Sequence, residues 1–270
     1  MQEHQLTLDR HTFFYREQGN GPALILLHGF GEDGSVWVNQ FDAFKGYRLL
    51  VPDLPGSGKS ALPEHMSMES LAGTIHEWMD VAAIEDAVMI GHSMGGYIAL
   101  AFAEKYPERL NGLGLFHSTA FADNTEKLET RQKGIAFIKQ YGAQPFLETM
   151  IPNLFGPFAK EQKPEIISRQ IALAHNFSAA ALVSYYQSMM QRPERTNVLK
   201  ESKVPVLIVA GKSDKLIPLE ESLQQAYMPQ LSYIHVLKCS GHMGMLEESE
   251  ETNRHIIKFL QTIEIYTITP

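Results

Sequence analysis

The chain is poor in cysteine and in basic charge and has no long apolar run, and each shortage excludes something. A single cysteine, Cys239, among 270 residues cannot close an internal disulfide, so a disulfide-stapled scaffold is ruled out. Twenty-three basic residues against 31 acidic ones give a net charge of -8, which repels a phosphate backbone, so no nucleic-acid partner is expected. The longest apolar stretches, such as 22–27 and 204–210, are far shorter than the roughly 20 residues that cross a bilayer, so no membrane span is expected. The opening Met1-Gln2-Glu3-His4-Gln5-Leu6 lacks the basic head and apolar run of a signal peptide, and with the lone cysteine it points to the cytoplasm.

What is present is an ordinary globular composition, 44% hydrophobic and 20% charged, in a chain long enough for one core domain carrying an insertion. A short hairpin is expected over 5–18. Ala23-Leu24-Ile25-Leu26-Leu27 is a continuous apolar run, the pattern of a strand covered on both faces. A second such strand, 47–51, stops at Pro52. A helix with apolar positions Leu71, Ile75, Trp78, Met79 and Ala82 follows over 67–83 behind a capping serine. Strand 87–90, helix 94–106 and strand 110–116 come next. This alternation implies βαβ crossovers and a mostly parallel sheet flanked by helices.

After His117 the alternation fails. From 118 to 195 only helical segments are expected, punctuated by Pro145, Pro152, Pro157, Pro164 and Pro193. It resumes with strand 204–210, a helix near 219–227, strand 233–237 and a helix over 248–260. The simplest organisation is an α/β core, 1–117 and 196–270, with a helical cap inserted at 118–195. The last residues, 263–270, alternate like a strand that could extend a sheet edge.

Gly91-His92-Ser93-Met94-Gly95-Gly96 is a G-x-S-x-G sequence with an apolar strand before it and a helix after it. A strand turning that sharply into a helix leaves no room for Cβ atoms beside the serine. The turn lifts the hydroxyl above the sheet edge and aims the first helical amides at the place where negative charge develops during acyl transfer.

On these residues the chain resembles the α/β-hydrolase fold family, from about Gly21 to Leu260. The resemblance implies a nucleophile, acid and histidine in the order Ser, Asp, His. Ser93 is then the nucleophile. Gly211-Lys212-Ser213-Asp214-Lys215-Leu216-Ile217-Pro218 matches the acid loop and makes Asp214 the orienting carboxylate; Ser240-Gly241-His242-Met243-Gly244 makes His242 the general base. His28-Gly29-Phe30-Gly31 resembles the oxyanion loop, so the backbone amides of Phe30 and Met94 are the expected donors. His28, His92 and His117 are candidate pocket residues: His117 closes a strand at the carboxyl edge of the sheet, where ligands of α/β folds gather, whereas His92 is expected to project away from Ser93. No metal or organic cofactor is required.

Gly58-Lys59-Ser60 resembles the end of a phosphate-binding loop, but the glycine needed five residues earlier is Asp53. Asp53 is expected to organise its own loop instead. The cap is rich in aromatic and methionine side chains, Phe146, Met150, Tyr185 and Tyr186 among them, which suits a small, largely apolar acyl substrate. Nine basic and seven acidic residues between Ser118 and Thr196 leave the acidic excess to the core, an asymmetry compatible with an anionic acyl carrier. Carboxylic ester or thioester hydrolysis through an acyl-enzyme is the expected reaction. Carbon–carbon bond hydrolysis and lactone cleavage are the enzymatic alternatives, and a non-catalytic ligand-binding protein is the alternative of another class.

Overall fold

Leu24, Ile25, Leu26 and Leu27 are all fully buried, which a strand achieves only inside a sheet covered on both faces. The computed structural model describes residues 1–268, apart from the side chains of residue 175 and of residues 265–268. Its strands are β1 (Gln2–Leu8), β2 (His11–Gln18), β3 (Ala23–Leu27), β4 (Arg48–Asp53), β5 (Ala87–His92), β6 (Leu110–Phe116), β7 (Val206–Gly211) and β8 (Ser232–Leu237). They form one eight-stranded sheet in the order β1-β2-β4-β3-β5-β6-β7-β8. The pairs β1–β2 and β2–β4 are antiparallel, and every other pair is parallel. Pro52 lies within β4 rather than ending it, opposite Tyr15 of β2.

Helix α1 (Met68–Val81) starts where Ser67 and Ser70 exchange side-chain and backbone hydrogen bonds. Its stripe of Leu71, Ile75, Trp78 and Met79 is buried. Phe13 and Tyr15 lie against Trp78 with ring centroids 5.4 and 5.1 Å away, which seats the N-terminal hairpin on this helix. α1 packs on α2 (Met94–Lys105), and α2 packs on β5 and β6.

Five α-helices lie between β6 and residue 195: α3 (Thr125–Tyr141), α4 (Ala143–Leu154), α5 (Pro157–Gln162), α6 (Pro164–Leu173) and α7 (Ala179–Gln191). No strand lies among them. The chain then continues through α8 (Thr196–Glu201), α9 (Leu219–Ala226), α10 (Gly244–Glu247) and α11 (Ser249–Ile268). The strand expected over 263–270 is corrected: α11 runs on through Ile268, because buried Ile256, Phe259, Leu260 and Ile263 continue a helical spacing. Residues 269–270 lie outside the described residues.

After β3 the chain places β4 on one side and β5 on the other, so strand order reverses between β3 and β5. The carboxyl ends of strands at such a reversal leave a crevice for ligands. The loops after β3, β5, β6, β7 and β8 carry Phe30, Ser93, His117, Asp214 and His242, all five at this edge.

Candidate active site

Ser93 joins β5 to α2 with φ 50° and ψ -113°, a conformation strained for a residue with a side chain. The surroundings enforce it: the Ser93 amide donates to the Phe116 carbonyl at 2.9 Å, and its own carbonyl accepts from Gly96 N at 3.0 Å and from the Ser118 hydroxyl at 2.7 Å. A Cβ on Gly91 would lie 2.2 Å from the Gly95 backbone, and one on Gly95 would lie 2.7 Å from the carbonyl oxygens of Leu27 and His28. The glycines are therefore sterically required.

Asp214 receives four donors. Oδ1 accepts from the amides of Leu216 at 2.9 Å and Ile217 at 3.1 Å, while Oδ2 faces His242 Nδ1 at 2.8 Å and His117 Nδ1 at 3.0 Å. Burial alone would raise the Asp214 pKa, but the facing His242 and His117 outweigh it and hold the carboxyl well below the usual range. Burial works against a charged His242, yet the Asp214 carboxylate prevails and raises its pKa. With Nδ1–H committed to Asp214, a neutral His242 carries its lone pair on Nε2, the atom a general base uses.

His28, His92 and His117, the candidate pocket residues, are all fully buried, as His242 nearly is at 3% exposure. Each is hydrogen-bonded to a residue of the loops around the site. His28 Nε2 accepts from Leu54 N at 2.9 Å, so its Nδ1–H donates to the Gly29 carbonyl at 2.8 Å, and the imidazole is neutral; burial lowers its pKa accordingly. His92 does not point away from the site: its Nε2 donates to the His242 carbonyl at 2.9 Å, and its Nδ1 lies 2.9 Å from Glu32 Oε2. That oxygen also accepts from Gly29 N at 2.7 Å. Glu32 and His92 thus join the loop before Phe30 to the backbone of His242.

Glu247 does comparable work from the other side. Its carboxylate accepts from Gly241 N at 2.9 Å and Met243 N at 3.0 Å, flanking His242, and from Gly156 N at 2.7 Å in the cap. The His242 amide donates to the Leu154 carbonyl at 2.6 Å. Sequence reasoning missed Glu32 and Glu247. Each is an acid in a chain with many acids, and Glu32 and Glu247 each reach a partner distant in sequence, His92 and Gly156; the nearest signal is Glu247 five residues after His242, in the short helix α10.

Phe30 follows β3 and Met94 opens α2, where the first helical amides lack intrahelical partners. The Phe30 ring stacks on Tyr186 at 4.3 Å and meets Phe146 and Tyr185 edge-on at 6.3 and 6.4 Å. Tyr185 in turn donates to the Pro55 carbonyl at 2.6 Å. The inner face of the cap is therefore aromatic where it meets the Phe30 loop. Asp53 stands apart from the site and organises its own loop, accepting from Gly34 N and Lys59 N and pairing with Arg16 at 2.6 Å.

Among the described residues, His117, Asp214 and His242 are the one group of three with metal-ligand donors within 4.8 Å of one another. Asp214 Oδ2 is already shared by two imidazole N–H groups, so the cluster is a hydrogen-bonded network. No helix among the described residues is long and apolar enough to cross a membrane.

A model of the α/β hydrolase fold family matches residues 22–249, and the chain belongs to that family. Fold and relatives together make it a hydrolase. It is 30% identical over 264 residues to the 2-hydroxy-6-oxononadienedioate/2-hydroxy-6-oxononatrienedioate hydrolase of Burkholderia vietnamiensis, covering 92% of this chain and 90% of that protein. A malate-bound thermophilic esterase from Thermogutta terrifontis shares its structure with a TM-score of 0.91 at 28% identity, covering 97% of this chain and 99% of that one. The enol-lactonase from Burkholderia xenovorans LB400, at 21% identity and a TM-score of 0.88 over 95% and 99% of the two chains, is a likeness of fold.

Proposed function

We propose that the protein is a serine esterase acting on a carboxylic ester, or thioester, of a small, largely apolar acid. In this reading His242 Nε2 takes the Ser93 proton as Oγ attacks the acyl carbon, and the Phe30 and Met94 amides hold the oxyanion. His242 then protonates the leaving alcohol or thiol. Water repeats the sequence in reverse to free the acid and restore Ser93. Asp214 stays ionised throughout, fixing the imidazole tautomer and stabilising the imidazolium. The observation that carries the reading is the 2.8 Å bond between Asp214 and His242 Nδ1 on a loop that is itself bonded to His92, the residue before Ser93 at the strained turn. Fixed backbone donors of the Phe30 and Met94 kind are worth about 10²–10³ in rate.

The test is hydrolysis of p-nitrophenyl esters from acetate to decanoate by the natural protein, Ser93→Ala and His242→Ala. Both variants are expected to lose about 10³-fold or more in kcat, and the chain-length optimum measures the size of the acyl group accepted. Undiminished turnover by Ser93→Ala overturns the mechanism. A second reading is favoured by the Burkholderia vietnamiensis relative, whose name gives a keto-dienedioate substrate without an ester, so that its hydrolysis cleaves a carbon–carbon bond. Consumption of such a keto acid in a Ser93-dependent way, with the ester series untouched, selects that reading.

A further inference from the structure

Asp214 is served by two histidines, and the reaction above uses only one of them. His117 Nδ1 lies 3.0 Å from the same Oδ2 that receives His242 at 2.8 Å, and the side chains of His117 and Asp214 are both inaccessible to solvent. Its other nitrogen, Nε2, is buried without a hydrogen-bond partner, so a neutral His117 keeps its proton on Nδ1 and donates it to Asp214. The chain gives up conformational freedom for this contact. His117 has φ 49°, and the ring lies against two glycines: a Cβ on Gly211 would come within 2.9 Å of Cε1, and one on Gly244 within 2.5 Å of Nε2.

We propose that His117 is a positioning residue of the Ser93 site, a second donor to Asp214 Oδ2 that fixes the carboxylate and moderates the proton affinity of His242. This rests on the esterase reading for its catalytic meaning, while the hydrogen-bond geometry stands apart from it. A carboxylate sharing its charge between two N–H groups attracts the His242 imidazolium less strongly than one serving His242 alone. Removing the His117 donor concentrates that charge on His242 and favours its protonated form.

The other groups facing the two imidazoles stay in place: His92, with ring centroids 4.9 Å from His242 and 6.1 Å from His117; Glu32 behind His92; and Glu247 beneath Gly241 and Met243. Lys212 and Lys215 flank Asp214 at the surface.

His117→Asn and His117→Leu form a matched pair, nearly equal in size, of which only asparagine can donate to Asp214. The pH dependence of kcat/KM on a p-nitrophenyl ester, and the His242 titration followed by NMR in a Ser93→Ala background, are measured for each. Relative to the natural protein, Leu is expected to move the acid limb and the His242 titration to higher pH by about half a unit or more, and Asn to restore most of that shift. Equal titrations in the Leu and Asn proteins, or a His242 value unmoved in Leu, overturn the proposal and leave His117 a packing residue. His117→Phe, which keeps a ring and lacks the donor, replaces Leu if thermal melting shows that Leu does not fold. The NMR arm needs no turnover, so failure of the esterase reading shows as Ser93-independent or absent activity, and failure of this proposal shows as an unmoved His242.

Discussion

Replacing Glu32 with leucine removes one oxygen that accepts from Gly29 N at 2.7 Å and faces His92 Nδ1 at 2.9 Å, leaving two buried polar groups without a partner. Glu32 is only 6% exposed and His92 fully buried, so water does not readily replace the lost acceptor. A buried polar group left unpaired costs about 1–3 kcal/mol, so two cost about 2–6 kcal/mol. Against a total stability of about 5–15 kcal/mol this is a large fraction, and at roughly 2 °C per kcal/mol for a chain of this size the melting temperature should fall by about 4–12 °C. Glu32→Gln keeps an acceptor oxygen and should lose less than half as much.

The kinetic effect has its own origin. Gly29 precedes Phe30, and His92 holds the His242 carbonyl, so both ends of the reacting centre loosen; displacements of about 1 Å cost up to about 10²-fold in rate. Differential scanning fluorimetry with ester kinetics on the three proteins is the assay. Glu3→Gln, which breaks the exposed pair with Lys59, serves as a control and should leave the melting temperature unchanged. A Glu32→Leu protein that melts within about 1 °C of the natural one and turns over normally would refute the argument, since it would mean that the Glu32–His92 contact supports nothing.

Gly95→Ala should cost about 1–3 kcal/mol and most of the activity, because the new methyl meets backbone oxygens at 2.7 Å that cannot move aside; thermal melting and ester turnover measure both. Tyr186→Ala removes the ring stacked on Phe30 at 4.3 Å and should raise KM for long-chain esters more than for acetate; an equal change across the series argues against a pocket there. Activity should fall as pH drops through the His242 value, which lies above the ordinary 6.5, since the base must be neutral. Stability responds to different groups. The raised His242 contributes stability that is fully present below its unfolded value and is lost as pH rises through the folded one. His117, lowered to about 4 by burial despite Asp214, penalises folding progressively as pH drops from 6.5 to 4. Urea melts should therefore show stability decreasing from pH 6.5 to 4, and a flat profile would contradict a buried neutral His117.

The sheet was legible because Leu24–Leu27 and 204–210 are apolar without alternation, a pattern that a strand with two covered faces produces directly. The turn at Ser93 was legible because it needs glycines at fixed offsets. Asp214 and His242 were proposed from their loops and order. The bonds that hold these residues were not, because they join distant parts of the chain: His92 to His242 across 150 positions and Glu32 to His92 across 60. A histidine at a strand end looks the same in sequence whatever its ring bonds to, so the partners of His28, His92 and His117 could not be read from it. The C-terminal segment was misread for a related reason. Its β-branched alternation is short, and packing of Ile256, Phe259, Leu260 and Ile263 against the core carries the helix through it.

The contacts of His242 with Leu154 and of Glu247 with Gly156 fasten the corner between α4 and α5 to the very loop that holds the histidine. A lid hinged at that corner would drag the imidazole away from Asp214 each time it lifted. The corner therefore behaves as a fixed post: the same two bonds that position the histidine also anchor this part of the cap, so the two cannot move independently.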